Sequence, residues 1–230
     1  MTAAPKLMTE IERVGARARF VVSALDPVSQ DRLEHLGYLG IGSDLFATRW
    51  FPDGPSIPRY YERFASSIES MVLQSARLAP IPWEEALEVF LRRVAGTKLT
   101  WWLYGSAAVA VRGIEISPGD IDISVDDPFL AGEIFDDLLV TPVEELDGWV
   151  ARYVGRAFDA AIIEWTSDPH ADNDGPARPG EFGPNVAPLI ENIEWHGRQI
   201  GVPPLSVQLA TCQRRGQTER VELIRAAMRH

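Results

Sequence analysis

The chain holds one cysteine, Cys212, among 230 residues. A lone thiol makes neither an intrachain disulfide nor a zinc–cysteine cluster, so a reducing cytoplasm is the expected setting. Histidine is scarce as well, and His35, His196 and His230 fall at no metal-ligand spacing. No apolar run comes near the roughly 20 residues that cross a bilayer. Met1-Thr2-Ala3-Ala4-Pro5-Lys6 also lacks the apolar centre of a signal peptide, so no membrane partner is expected. Basic residues are outnumbered, 22 lysines and arginines against 33 acids, for a formal charge of -11. Proteins that grip long nucleic acid neutralise its phosphates, which this balance opposes. A small molecule or a protein suits the charge better, and any nucleotide would need cations gathered locally. There is no internal repeat and no low-complexity tract.

What the chain does have is apolar residues, 46% of the total, enough for a sizeable core in one large domain or two small ones. Helical periodicity is weak over residues 8–19, and Asp26-Pro27 opens a short helix to Leu36. Residues 37–55, broken by glycines and by Phe51-Pro52-Asp53-Gly54-Pro55, read as a shaped loop. Pro58 begins a longer helix with Tyr61, Phe64, Ile68, Val72 and Leu73 at helical spacing. Trp83 to Val94 is another, with a broad apolar side. Beyond Gly96 the pattern turns to strands at 99–104, 120–125, 139–141, 149–153 and 157–165, the last two divided at Gly155. A helix runs from Pro128 to about Leu138. Residues 166–184 form a loop dense in Pro, Gly, Asp and Asn, and a hairpin follows around His196-Gly197-Arg198. Helices from Pro203-Pro204 to Arg215 and from Thr218 onward close the chain. The expected fold is therefore α/β (α+β), a mixed sheet flanked by helices. It divides into an N-terminal helical accessory region over 1–95, a core over 96–202, and a helical tail over 203–230 packed on that core.

The densest chemistry lies between residues 99 and 125. The run Leu99-Thr100-Trp101-Trp102-Leu103-Tyr104 reads as a strand that stops at Gly105, and Gly105-Ser106 starts a short helix with free backbone N–H groups that suit a phosphate. Pro118-Gly119 turns the chain into Asp120-Ile121-Asp122-Ile123-Ser124-Val125. Strict alternation there puts Asp120, Asp122 and Ser124 on one face and the apolar side chains on the other. Two carboxylates side by side repel each other unless solvent or a cation intervenes, and a hard divalent ion suits them.

Gly105-Ser106, a spacer containing Arg112-Gly113, and Asp120-Ile121-Asp122-Ile123 together resemble the signature of the nucleotidyltransferase superfamily. The resemblance covers residues 99–165. The closing stretch, Val202-Pro203-Pro204-Leu205 to Arg214-Arg215-Gly216, is similar to the tail of bacterial members that modify small molecules. The resemblance implies transfer of a nucleoside monophosphate from a nucleoside triphosphate to a hydroxyl, with two Mg²⁺ ions stabilising the attacking and leaving oxygens. Asp120, Asp122 and a third carboxylate from a later strand would be the metal and catalytic residues. Asp159, in Phe158-Asp159-Ala160-Ala161-Ile162-Ile163, has the implied form, with Glu164 as second choice. Gly105 and Ser106 would meet the phosphates. Relatives often carry a basic residue just before the Asp-x-Asp pair, where this chain has Gly119, so Arg112 is assigned the missing phosphate contact or a helix C-cap. The implied acceptor is a small molecule. Toxin-like modification of a protein or of tRNA is the close variant, and a catalytically silent nucleotide-binding or protein-interaction module is the alternative of a different class.

Other features read more plainly. Arg214, Arg215 and Arg220 sit near a helix break, either as a solvated face or facing a triphosphate. His170-Ala171-Asp172-Asn173-Asp174-Gly175 with Glu181 has only partial calcium-loop spacing, and this loop reads as a flexible lid or a flap against the acceptor. Cys212 lies on an apolar helix and reads as packing, as do Trp101 and Trp102. Tyr104 would be nearest the nucleotide.

Overall fold

A computed structural model describes residues 7–146 and 150–229. Residues 1–6, Trp149 of an expected strand, and His230 lie outside the described residues. The chain opens with strands Leu7–Val14 (β1) and Arg17–Ala24 (β2), then helix Pro27–His35 (α1) and three short strands, Leu39–Gly40 (β3), Leu45–Ala47 (β4) and Phe51–Pro52 (β5). Helices Ile57–Ser75 (α2) and Trp83–Val94 (α3) follow. Next come Trp101–Tyr104 (β6), Gly105–Ala110 (α4), Ile121–Val125 (β7), Pro128–Ile134 (α5), Glu144–Glu145 (β8), Ala151–Phe158 (β9) and Ile162–Pro169 (β10). The hairpin Glu191–Trp195 (β11) and Arg198–Val202 (β12) leads to helices Leu205–Arg214 (α6) and Thr218–Ala227 (α7). The architecture is mixed α/β.

The N-terminal region departs from the expectation of helices joined by a loop. Residues 8–19 form an antiparallel hairpin, with Glu12 opposite Arg19 and ion-paired to it at 2.6 Å. Leu7, Ile11 and Val14 have helical spacing, yet Leu7 and Ile11 also share one strand face, and it is that face which packs inward. The expected loop at 37–55 contributes β3, β4 and β5 to the same sheet, ordered β1-β2-β4-β3 with β5 on β2. α1 begins where expected, because Asp26 accepts hydrogen bonds from Ser29 N at 2.9 Å and Ser29 Oγ at 2.6 Å. Phe20 and Val22 of β2 pack against Phe64, Ile68 and Met71 of α2, and that cluster continues into Val140, Phe158 and Ile162 of the central sheet.

The central sheet has the order β6-β7-β10-β9-β8, antiparallel throughout except where β7 and β10 run parallel. Its apolar face, with Leu103, Ile121, Ile123, Ile163 and Trp165, is covered by Leu87 and Phe90 of α3 and by Phe135 after α5. A second correction concerns Gly155. It makes no turn: β9 runs through it, opposite Trp165, and a Cβ there would collide with the indole. The chain instead reverses at residues 159–161. At the other end, α6 and α7 bury Cys212, Val221 and Ile224 against Val109 of α4. The turn of the β11–β12 hairpin has positive φ at His196 and Gly197, +47° and +73°.

Candidate active site

Opposite the apolar face, strand register lines up a polar row. Tyr104 on β6 faces Asp122 on β7, Asp122 faces Glu164 on β10, and Glu164 faces Arg156 on β9. Neighbouring strands lie about 5 Å apart, so the row spans about 15 Å. Asp120 stands two residues before Asp122 and shares its face. Burial, reinforced by the charge of Glu164, pushes the Asp120 carboxyl up to about 6, against the pull of Arg156, Arg220 and Arg77. Asp122 is raised well above the carboxylate range, first by burial and then by Asp120, Glu164 and Glu181. Both side chains keep some accessible surface, but too much protein surrounds them for their charges to be well hydrated.

Among the described residues, neither aspartate accepts a hydrogen bond or joins an ion pair. Two crowded, uncompensated carboxylates fit a hard divalent cation. The third carboxylate is not in coordinating position, and among the described residues no three His, Cys, Asp or Glu side chains form a group that would hold a metal ion. Glu164 is the nearest in register. Its Oε2 accepts from Nε and Nη2 of the buried Arg156, at 2.9 and 2.5 Å. Asp159 is not brought to the pair. It sits in the turn between β9 and β10, and its Oδ1 lies 3.6 Å from Arg63 of α2. The small residues Ala160 and Ala161 made the turn look like continuous strand.

Gly105 has φ +67°, and a Cβ there would land on the Asp122 carboxylate, so the turn and the aspartate are fitted to each other. The Gly105 N–H donates to Glu181 Oε2 at 2.9 Å, and Gln208 Nε2 reaches the Gly105 carbonyl at 3.2 Å. Burial raises Glu181, opposed by that N–H and by Arg215. Ser106 is buried in the first turn of α4. The loop that carries Glu181 is packed down rather than open as a flap. Asp174 accepts from Gly180 N and Asn185 N, at 2.8 and 3.0 Å. Trp102 Nε1 donates to the Glu181 carbonyl at 2.8 Å, and Phe182 lies 5.1 Å from the Tyr104 ring.

Arg112 serves the fold instead of a phosphate, since it ion-pairs with Glu191 at 2.6 Å and donates to the Pro203 carbonyl at 2.9 Å. The position left open by Gly119 is met instead by Arg77, at the end of α2. Arg77 donates to the Pro118 and Ser117 carbonyls, at 3.1 and 3.0 Å, and its Nη2 is 3.6 Å from where a Gly119 Cβ would be. No local motif links residues 77 and 119, so the sequence held no signal for this contact. Arg77, Glu115, Ser117, Thr218, Glu219 and Arg220 line a cavity of about 680 Å³. A second cavity, of about 280 Å³, opens between Asp120, Glu164, Arg156 and the N-terminal sheet region.

No family model matches the sequence, and no curated protein matches it. Among solved structures the chain is similar to a candidate nucleotidyltransferase from Thermotoga maritima, at 19% identity and TM-score 0.49, covering 64% of this chain and 92% of that one. It is also similar to the lincosamide antibiotic adenylyltransferase LnuA with lincomycin bound, at 18% identity and TM-score 0.39, covering 55% of this chain and 84% of that one. At these scores the likeness decides neither the fold nor the activity of this chain.

Proposed function

We propose that the chain is a nucleotidyltransferase that moves a nucleoside monophosphate from a nucleoside triphosphate to a hydroxyl of a small molecule. The observation that carries this reading is the unpaired Asp120–Asp122 couple, set against the Gly105 turn, with Asp120 lining a cavity. Asp120 and Asp122 would hold Mg²⁺, which when bound supplies charge neutralisation at the α-phosphate and the leaving group. Arg77 and Arg220, beside Glu115 and Glu219, line the cavity assigned to the donor, and Arg215 adds its charge near Asp122. The acceptor oxygen attacks the α-phosphorus in line, the bond to pyrophosphate breaks, and pyrophosphate departs toward the arginines. Glu164 is the third carboxylate in this reading, in place of Asp159. Arg156 occupies only its Oε2, which leaves Oε1 to take the proton from the acceptor hydroxyl.

A melting experiment tests this. Nucleoside triphosphate with Mg²⁺ is expected to raise the melting temperature, by about 3 kcal/mol of stabilisation at a hundredfold excess over Kd. The D120N/D122N double variant is expected to lose most of that shift, and a retained shift would sink the metal assignment. One observation favours a second reading, a silent module on the same fold. The Gly105 N–H, assigned to phosphate, is already held by Glu181. A wild-type protein indifferent to every nucleoside triphosphate would overturn the transfer reading and leave only the protein-interaction form of that alternative.

A further inference from the structure

We propose that the groove between residues 177–179 and α6 binds a short dicarboxylate, and that the bound anion clamps the Glu181 loop onto the Gly105 turn. The groove holds about 390 Å³, within the range of small-molecule sites. Ala177, Arg178 and Pro179 form one wall, and Val207, Ala210 and Arg214 of α6 form the other. Positions 207, 210 and 214 follow one another at helical spacing, so they make one stripe with a guanidinium at its C-terminal end. Arg178, on the facing wall, is carried by a tight turn. Its N–H donates to the Gly175 carbonyl at 2.9 Å, and the Gly175 N–H donates back at 3.3 Å. None of these six residues lines either of the other two cavities.

The charges select the ligand. The other two cavities mix acids with their arginines, Glu115 and Glu219 in one and Asp120, Glu144 and Glu164 in the other. This groove has two arginines and no acid, in a chain of net charge -11. Among the described residues neither Arg178 nor Arg214 joins an ion pair, and Arg214 spends one donor on Thr211 Oγ at 3.0 Å. A guanidinium is a planar fork that takes a carboxylate through two parallel hydrogen bonds. Two forks on facing walls suit two carboxylates, and Pro179, Val207 and Ala210 suit the methylenes between them. A monocarboxylate leaves one arginine unmatched, and inorganic sulfate has no apolar body to meet the walls. Those walls are also the elements that meet at Gly105. Glu181, three residues beyond Arg178, accepts from the Gly105 N–H, and the fully buried Gln208, beside Val207, donates to the Gly105 carbonyl. Parting of the loop from α6 releases Glu181 from Gly105, and an anion that bridges Arg178 and Arg214 opposes it. Opening is then suppressed by up to about a hundredfold at a hundredfold excess over Kd.

Calorimetry on the full chain without nucleotide tests the site, using malonate, succinate, glutarate and adipate against acetate, sulfate and putrescine. One dicarboxylate is expected to bind at least about tenfold more tightly than acetate or sulfate, and putrescine not to bind. R178Q and R214Q are each expected to weaken that dicarboxylate about tenfold or more, and A210E, which sets a carboxylate on the α6 wall, to abolish its binding. Hydrogen exchange then reads the clamp. The Gly105 amide is expected to exchange at least about tenfold more slowly with the best dicarboxylate bound, and the R178Q/R214Q double variant to show no slowing. Equal binding of all the anions, no dicarboxylate binding, or binding that survives R178Q/R214Q overturns the site. Binding that leaves Gly105 exchange unchanged overturns the clamp. The site does not rest on the transfer reading: a missing melting shift with Mg²⁺ and nucleoside triphosphate sinks that reading and leaves dicarboxylate binding as it was.

Discussion

Replacing Asp120 by asparagine should make the metal-free protein more stable, contrary to the usual effect of changing a buried polar residue. In the folded chain Asp120 is raised from 3.8 to about 6, with burial the largest cause. A raised carboxylate contributes in full below its unfolded value, where it is protonated in both states. The contribution is then lost as pH climbs from about 4 through 6. Two pKa units correspond to roughly 3 kcal/mol. The coupling to Asp122 and the cost of burying an amide reduce this, so a gain of about 1–3 kcal/mol is expected at pH 7.5, or several degrees in melting temperature. Urea denaturation in EDTA at pH 4.5 and 7.5 reads the effect. Wild type should be less stable at the higher pH than D120N, and the gap should shrink to about a third at the lower. Saturating Mg²⁺ should restore wild type and leave D120N unmoved. An asparagine variant less stable than wild type at pH 7.5 would refute the claim that these carboxylates are uncompensated.

Three further outcomes follow from contacts around the pair. G105A should cost more than G113A: both positions have positive φ, about 1 kcal/mol each, but only at Gly105 does the new Cβ collide, with Asp122. Equal losses in denaturation would show that the turn is not fitted to the aspartate. R77A should weaken nucleoside triphosphate binding about tenfold in a fluorescence titration, while R112A, whose guanidinium is held by Glu191, should change it little. The reverse order would return the phosphate contact to Arg112. E181Q should tighten triphosphate binding by releasing a negative charge from the Gly105 N–H, and weaker binding would make Glu181 a participant instead.

The elements legible in the sequence are those with one strong period or a local cap. α3 has a broad apolar side, and α1 has Asp26 at its start. β7 alternates so strictly that the face of Asp120 and Asp122 could be assigned without a structure. Residues 8–19 failed that test because Leu7 and Ile11 fit a helical and a strand period at once, and β2 decides between them by pairing. Gly155 looked like a breaker because a glycine gives the same signal for a turn and for a close approach; here Trp165 demands the approach. Arg77 carries no motif, and the partial calcium-loop spacing that includes Glu181 does not point to this site. They reach it from just past α2 and from a loop, and only tertiary packing brings them there.

The exchange of Asp159 for Glu164 has a deeper cause. Which carboxylate stands beside Asp122 depends on the register of β7 with β10, a parallel pair whose strands are joined by a long crossover through α5, β8 and β9. No local turn sets such a register, so a strand carboxylate cannot be matched to its neighbour by counting along the chain. The register here is set from the other face, where Ile121 and Ile123 lie beside Ile163 and Trp165 over α3. Shifting β10 by one residue would drive Trp165 out of that layer and into the polar row, so packing of the apolar face fixes Glu164 next to Asp122. Arg156 then carries the arrangement outward, because the same guanidinium holds Glu164 and the Leu36 carbonyl. The N-terminal region is thus joined by hydrogen bonds to the candidate third carboxylate, and a change in the segment around Leu36 should be felt at Glu164 before it is felt at Asp122.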